Sequence, residues 1–108
     1  SHNVKRYVND LGFVENEGNV EAYVDKPFPI SYRSIIPMKN ECENLIVPVC
    51  LSASHIAFGS IRMEPVFMVL GQSAAIIASL AIEKNISVQD LNYNKIKAIL
   101  IKNGQILK

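Results

Sequence analysis

The chain has 108 residues, 49% apolar and 19% charged, with a formal net charge of +1, which suits one small domain with a thin core. Near-neutrality with scattered basic residues argues against nucleic acid as the main partner, since phosphate binding needs a clustered excess of Lys and Arg. Two cysteines, Cys42 and Cys50, with no Cys/His zinc spacing, argue against a metal centre and a disulfide-dense scaffold.

The first residues, Ser1-His2-Asn3-Val4-Lys5-Arg6-Tyr7, show no initiator Met, signal h-region or transit-peptide character. They read as a chain begun inside something larger. Residues 1–43 are polar and irregular, with charges throughout. Within them Val20-Glu21-Ala22-Tyr23-Val24 alternates apolar and polar, as a half-buried strand does. Pro27 and Pro29 impose extended geometry on their neighbours, and Ile30 to Ile36 reads as a further extended segment, stopped by Pro37.

From Asn44 to Ile82 the only formal charges are Arg62 and Glu64, so the middle of the chain reads as buried on several sides. Leu45-Ile46-Val47-Pro48-Val49 has the character of a strand buried on both faces, with Pro48 marking an edge, a bulge or its end. The strongest local expectation is a helix from Pro65 to Glu83, since proline suits a first helical turn. Its uncharged stretch from Pro65 to Ile82 nearly reaches the roughly 20 apolar residues of a membrane span. Gln72, two serines and a glycine, without a flanking basic cluster, favour a buried helix and no membrane partner. Gly71, Ala75 and Ser79, with Ala74 and Ala78, predict a smooth face where another backbone or a ligand packs closely. Ser87 and Asn92 are candidate N-caps, giving a short turn and a helix from Tyr93 to Lys102. Ile96, Ile99 and Leu100 form its apolar face, and Gly104 its stop.

The chemistry concentrates in Ser52-Ala53-Ser54-His55-Ile56-Ala57-Phe58-Gly59-Ser60-Ile61-Arg62-Met63-Glu64-Pro65. As a loop between strand and helix, this stretch occupies the position where open α/β sheets bind ligands. It leads two serines, an imidazole, a flexible glycine and an arginine into a helix N-terminus suited to phosphate or an electron-rich carbonyl. His55 reads either as a structural histidine or as a site residue. Arg62 either pairs with Glu64 or Glu41 or engages a ligand. Hydrolase chemistry fits poorly, since Ser52 and Ser54 lack the Gly-x-Ser-x-Gly turn and no acid orients His55. Tyr32 and Arg33, between prolines, are either substrate contacts or part of an exposed connector.

Several segments together resemble the C-terminal region of a family of FAD-dependent oxidoreductases with the two-dinucleotide-binding-domain fold of the glutathione-reductase group. They are Ile30-Ser31-Tyr32-Arg33-Ser34-Ile35-Ile36-Pro37, Glu43-Asn44-Leu45-Ile46-Val47, Ser52-Ala53-Ser54-His55, Gly59-Ser60-Ile61-Arg62 and Leu70-Gly71-Gln72-Ser73-Ala74-Ala75. Some members of that branch carry a "xanthan lyase-like" label, for which this sequence offers no lyase chemistry. The resemblance implies a last strand of the FAD-binding sheet at 44–49, a loop passing the flavin, and a helix from Pro65 aimed at it. It implies cofactor contacts from Ser52, Ser54, Gly59, Glu64, Gly71 and Gln72, with Gly71 and the small stripe packing the helix within the FAD domain. His55 and Arg62 become catalytic candidates on the substrate side, with Tyr32 and Arg33 as substrate contacts. Many relatives follow the strand with a Gly-Arg pair. Val47-Pro48-Val49-Cys50 stands here instead, so the relatives' flavin contacts at this point do not carry over, and the resemblance makes Cys50 only a candidate neighbour of the cofactor.

The sequence expectation is therefore an α/β fold: a partial FAD/NAD(P)-binding-type unit with a few strands, one long buried helix and a C-terminal helix. Residues 1–43 form a substrate-side segment and 44–108 the C-terminal part of the FAD-binding domain. No Gly-x-Gly-x-x-Gly follows a first strand, so the N-terminal part of the same protein is the expected partner. FAD is the expected cofactor of that parent and is not expected on this piece alone, which should be inactive. The substrate is an unidentified small molecule, and the apolar centre makes self-association a reasonable expectation. The alternatives are a non-catalytic binding or structural module and a polysaccharide-processing protein.

Overall fold

The computed structural model describes residues 2–107, excluding the side chains of residues 2–5 and 16–21. Two antiparallel strands, β1 (His2–Val8) and β2 (Val14–Glu21), open the chain. They are joined by a turn built on Asn9. Its Oδ1 accepts hydrogen bonds from the Leu11 and Phe13 amides at 3.1 and 3.0 Å, and Gly12 takes the left-handed φ of 80° that closes the turn. Asn9 Nδ2 and the Tyr7 hydroxyl both donate to the Glu15 carboxylate, at 2.6 and 3.0 Å. A register shift between Lys5 and Arg6 interrupts the ladder. The sequence reading took this region as irregular and placed a strand at Val20–Val24; the observed strand ends at Glu21.

Beyond an irregular stretch, Tyr32–Ile35 forms a single 3₁₀ turn capped by Ser31, not the extended segment expected at Ile30–Ile36. The apolar run Leu45–Val49 forms no strand either. Two backbone bonds tie its neighbourhood to the 3₁₀ turn, Val47 N–H to the Ile35 carbonyl at 2.8 Å and Ser52 N–H to the Ser34 carbonyl at 2.7 Å. Pro48 lacks an N–H, so the pairing cannot run on as a ladder there.

The helical body follows: α1 (His55–Ile61), α2 (Glu64–Lys84) and α3 (Tyr93–Lys102), with a 3₁₀ turn at Val88–Asp90 before α3. Pro65 stands in the first turn of α2, and Asn85 ends it in the left-handed conformation, φ 51°. The Asn92 side chain caps α3 by accepting from the Asn94 amide at 2.9 Å. The buried core comprises Ile35, Leu51, Ile61, Leu70, Ile77, Ala81, Val88, Leu91, Ile96 and Leu100. Leu70, Ile77 and Ala81 come from one side of α2, with Ser73 as its buried polar residue.

Burial of α2 is one-sided. By length and composition it could cross a membrane, yet only 22% of its most apolar window is buried within the chain. The small stripe expected to pack is on the open side: Ala75 and Ser79 are exposed. At Gly71 a Cβ would meet no atom within 4 Å. The mixed α/β class holds, with two strands and three helices among the described residues.

Candidate functional site

The segment expected to be a loop is mostly the short helix α1. The Ser54 hydroxyl accepts from the Ala57 amide at 3.3 Å, as an N-cap does. His55 occupies the first position of α1, exposed, and Gly59 lies inside the helix and not in a flexible loop. Ser52 is exposed just before α1. Arg62 ends α1 and precedes Met63, the N-cap residue of α2, so two helices meet at a single arginine.

The start of α2 is open chemically as well as sterically. No side chain caps it, and Pro65 contributes no N–H, leaving the amides of Glu64 and Val66 at its first turn. Arg62 and Glu64 are exposed neighbours that form no salt bridge, and Arg62 does not pair with Glu41 either. Among the described residues the guanidinium is thus uncommitted. Gly71 and Gln72 lie about 10 Å further along α2 than Glu64, at 1.5 Å per residue. Gln72 Oε1 accepts from Gln105 Nε2 at 2.8 Å. That same Gln105 amide reaches Ser73 Oγ at 3.1 Å and the Val69 carbonyl at 3.3 Å. Gln72 therefore helps hold the C-terminal tail against the helix.

Tyr32 and Arg33 differ in environment. Tyr32 is half-buried; its hydroxyl donates to the Val88 carbonyl at 2.5 Å, and its ring centroid lies 6.2 Å from that of Tyr93. Burial pushes its phenol above the ordinary 10.0. Arg33 is exposed and its side chain has no partner among the described residues. Cys42 and Cys50 are free thiols, Cys42 Sγ lying 3.3 Å from Asn44 Oδ1. No cluster of His, Cys, Asp or Glu that could hold a metal occurs among the described residues.

A cleft of about 570 Å³ that sequence reasoning did not anticipate lies beside the α1–α2 junction. Tyr23, Phe28, Ile30, Ser60, Ile61 and Val66 are among its walls. Of the candidate flavin contacts, none lines this cleft or a second of about 510 Å³ near the C-terminal end of α2. They are distributed over an open surface along α1 and the start of α2. Set against a flavin, they offer amide donors, hydroxyls and the Arg62 guanidinium.

No curated protein and no solved structure matches the chain. The family model described as FAD dependent oxidoreductase matches residues 1–100, and the chain belongs to that family.

Proposed function

We propose that this chain forms one wall of the flavin and substrate site of an FAD-dependent oxidoreductase, completed by the N-terminal part of the same protein, and does no redox chemistry by itself. The supporting observation is the α1–α2 junction, where the start of α2 has no side-chain cap and the exposed Arg62 is uncommitted among the described residues. Such a junction favours an electron-rich carbonyl or an anion. The Ser52 hydroxyl, the backbone around Ser54 and Gly59, and the first turn at Glu64 would hold the cofactor. Gly71 and Gln72 would border it further along α2. Bound FAD supplies the acceptor for an electron pair. Arg62 would orient an anionic substrate group or counter negative charge that develops during reduction. His55, exposed beside it, is the candidate proton carrier, and Arg33 the second substrate contact. Tyr32, with its hydroxyl committed to Val88, could offer only its ring.

Two measurements test this reading. Titrating the 108-residue chain with FAD should give no saturable change in flavin fluorescence in the micromolar range; tight, stoichiometric binding would contradict the one-wall reading. In the flavin-loaded parent, Arg62→Lys keeps the charge but loses the planar fork. It should retain FAD and melt normally while flavin reduction slows by about a hundredfold. If it loses FAD while the remaining holoenzyme turns over normally, Arg62 is structural.

A further inference from the structure

We propose that Gln105 is a positioning residue, which turns the NH2 group of Gln72 outward as a fixed donor to an acceptor oxygen of the cofactor. The cofactor half rests on the reading of Gln72 as a flavin neighbour; the positioning half rests on hydrogen bonds within the chain.

The geometry begins at the end of α3. Gly104 adopts a φ of 85°, its amide donates to the Ile101 carbonyl at 2.9 Å, and the Gln105 amide donates to the Leu100 carbonyl at 3.0 Å. This is the glycine stop that closes a helix and turns the chain away from its axis. It delivers Gln105 to a defined place against the middle of α2. There Gln105 Nε2 lies 2.8 Å from Gln72 Oε1, 3.1 Å from Ser73 Oγ and 3.3 Å from the Val69 carbonyl oxygen. The buried Ser73 hydroxyl in turn donates to that same carbonyl at 3.0 Å.

Acceptor chemistry fixes which way each carboxamide points. A backbone carbonyl only accepts, so Gln105 must present its NH2 group to Val69; turned over, it would set two oxygens against each other. The same NH2 group meets Gln72, which must therefore answer with its oxygen. The NH2 group of Gln72 is left on the far side of its carboxamide. Gln72 is exposed, and that NH2 group makes no hydrogen bond among the described residues. A freely rotating carboxamide would offer oxygen or nitrogen equally to whatever approaches. Held by Gln105 it offers donors only, and its rotational freedom is already lost before anything binds. A flavin carbonyl or a phosphate oxygen matches such a group, and a hydrogen-bond donor does not.

Side-chain amide hydrogen exchange on the isotope-labelled 108-residue chain reads the orientation without flavin. The Gln105 NH2 protons should exchange more slowly than those of Gln72. The reverse order in the wild type overturns the proposal, whatever any variant does. Gln105→Glu keeps the size but at neutral pH offers acceptors only, so the Gln72 NH2 group should turn inward and become protected. A mere tie for the tail would leave the Gln72 protons as fast as before, and that outcome also overturns the proposal. In the flavin-loaded parent, Gln72→Leu and Gln105→Glu should each weaken FAD binding about tenfold, and the double variant by no more than about tenfold. Losses that multiply would show that Gln105 does not act through Gln72, and the proposal falls. FAD affinity indifferent to Gln72→Leu overturns the cofactor half together with the flavin reading of Gln72; the exchange order on the flavin-free chain still decides the positioning.

Discussion

At the scale of single residues, Tyr32 shows how a polar side chain flanked by prolines can be a structural tie. Its hydroxyl answers a carbonyl of the buried residue Val88, 56 positions away in sequence, and so joins the 3₁₀ turn at 32–35 to the turn before α3. Tyr32→Phe leaves that carbonyl without its partner and should cost about 1–3 kcal/mol, measured by urea unfolding. The pH dependence carries a sign. A phenol raised in the folded state lends stability that is complete below the unfolded value of 10.0 and is lost as pH rises through the folded one. The difference in stability between wild type and Tyr32→Phe should therefore shrink above that pH; a constant difference would mean that the phenol titrates alike in the folded and unfolded chain. The sequence marked Tyr32 as interesting but could not show this role, because Val88 becomes its neighbour only through the tertiary fold. Ser54 was also singled out. Its position before His55-Ile56-Ala57 is an N-cap signature, overlooked because Gly59 argued for a flexible loop.

At the scale of elements, legibility followed locality. Helices α2 and α3 were readable because Pro65, Asn92 and Gly104 act within a turn of where they stand. The hairpin was not readable. Its strands carry charges where alternation should be, and its turn depends on the Asn9 side chain rather than a two-residue Asn-Gly loop. Leu45–Val49 failed as a strand because no neighbouring strand is present to pair with it and Pro48 interrupts the bonds it does make. Which face of α2 meets this chain's own core was unreadable for a related reason: apolar residues surround the helix, so composition alone cannot say which side meets it. Two alanine substitutions separate the sides. Gly71→Ala should stabilise the chain by about 0.5–1 kcal/mol, since the added methyl meets nothing and the helix gains propensity. Ile77→Ala, at 1% exposure, should cost about 2–5 kcal/mol. Thermal unfolding that gives both the same sign would reverse the assignment of the faces.

At the scale of the whole molecule, the chain is elongated: its radius of gyration is 18.0 Å and its longest extent 61 Å, against about 13 Å expected for the radius of a compact domain of this length. The buried core explains why. Among the described residues every member lies between Ile35 and Leu100, and none comes from the hairpin. Two strands without a third strand or a covering layer are marginal by themselves. The hairpin is held by its turn, its ladder and the approach of α1 to β1. Its exposed apolar side chains, Val8, Leu11, Phe13 and Val14, contribute little to the folded chain and much to any surface that covers them. Deleting residues 1–24 should therefore leave the helical body folded. Its melting temperature should move by no more than roughly 2–4 °C, the equivalent of about half a kilocalorie per mole in a domain this small. Far-UV circular dichroism should keep the helical signal of α2 and α3, while the cleft bordered by Tyr23 and Phe28 loses one wall. Cooperative loss of the helical signal on truncation would show that hairpin and body form one folding unit, stabilised through the contact between β1 and α1.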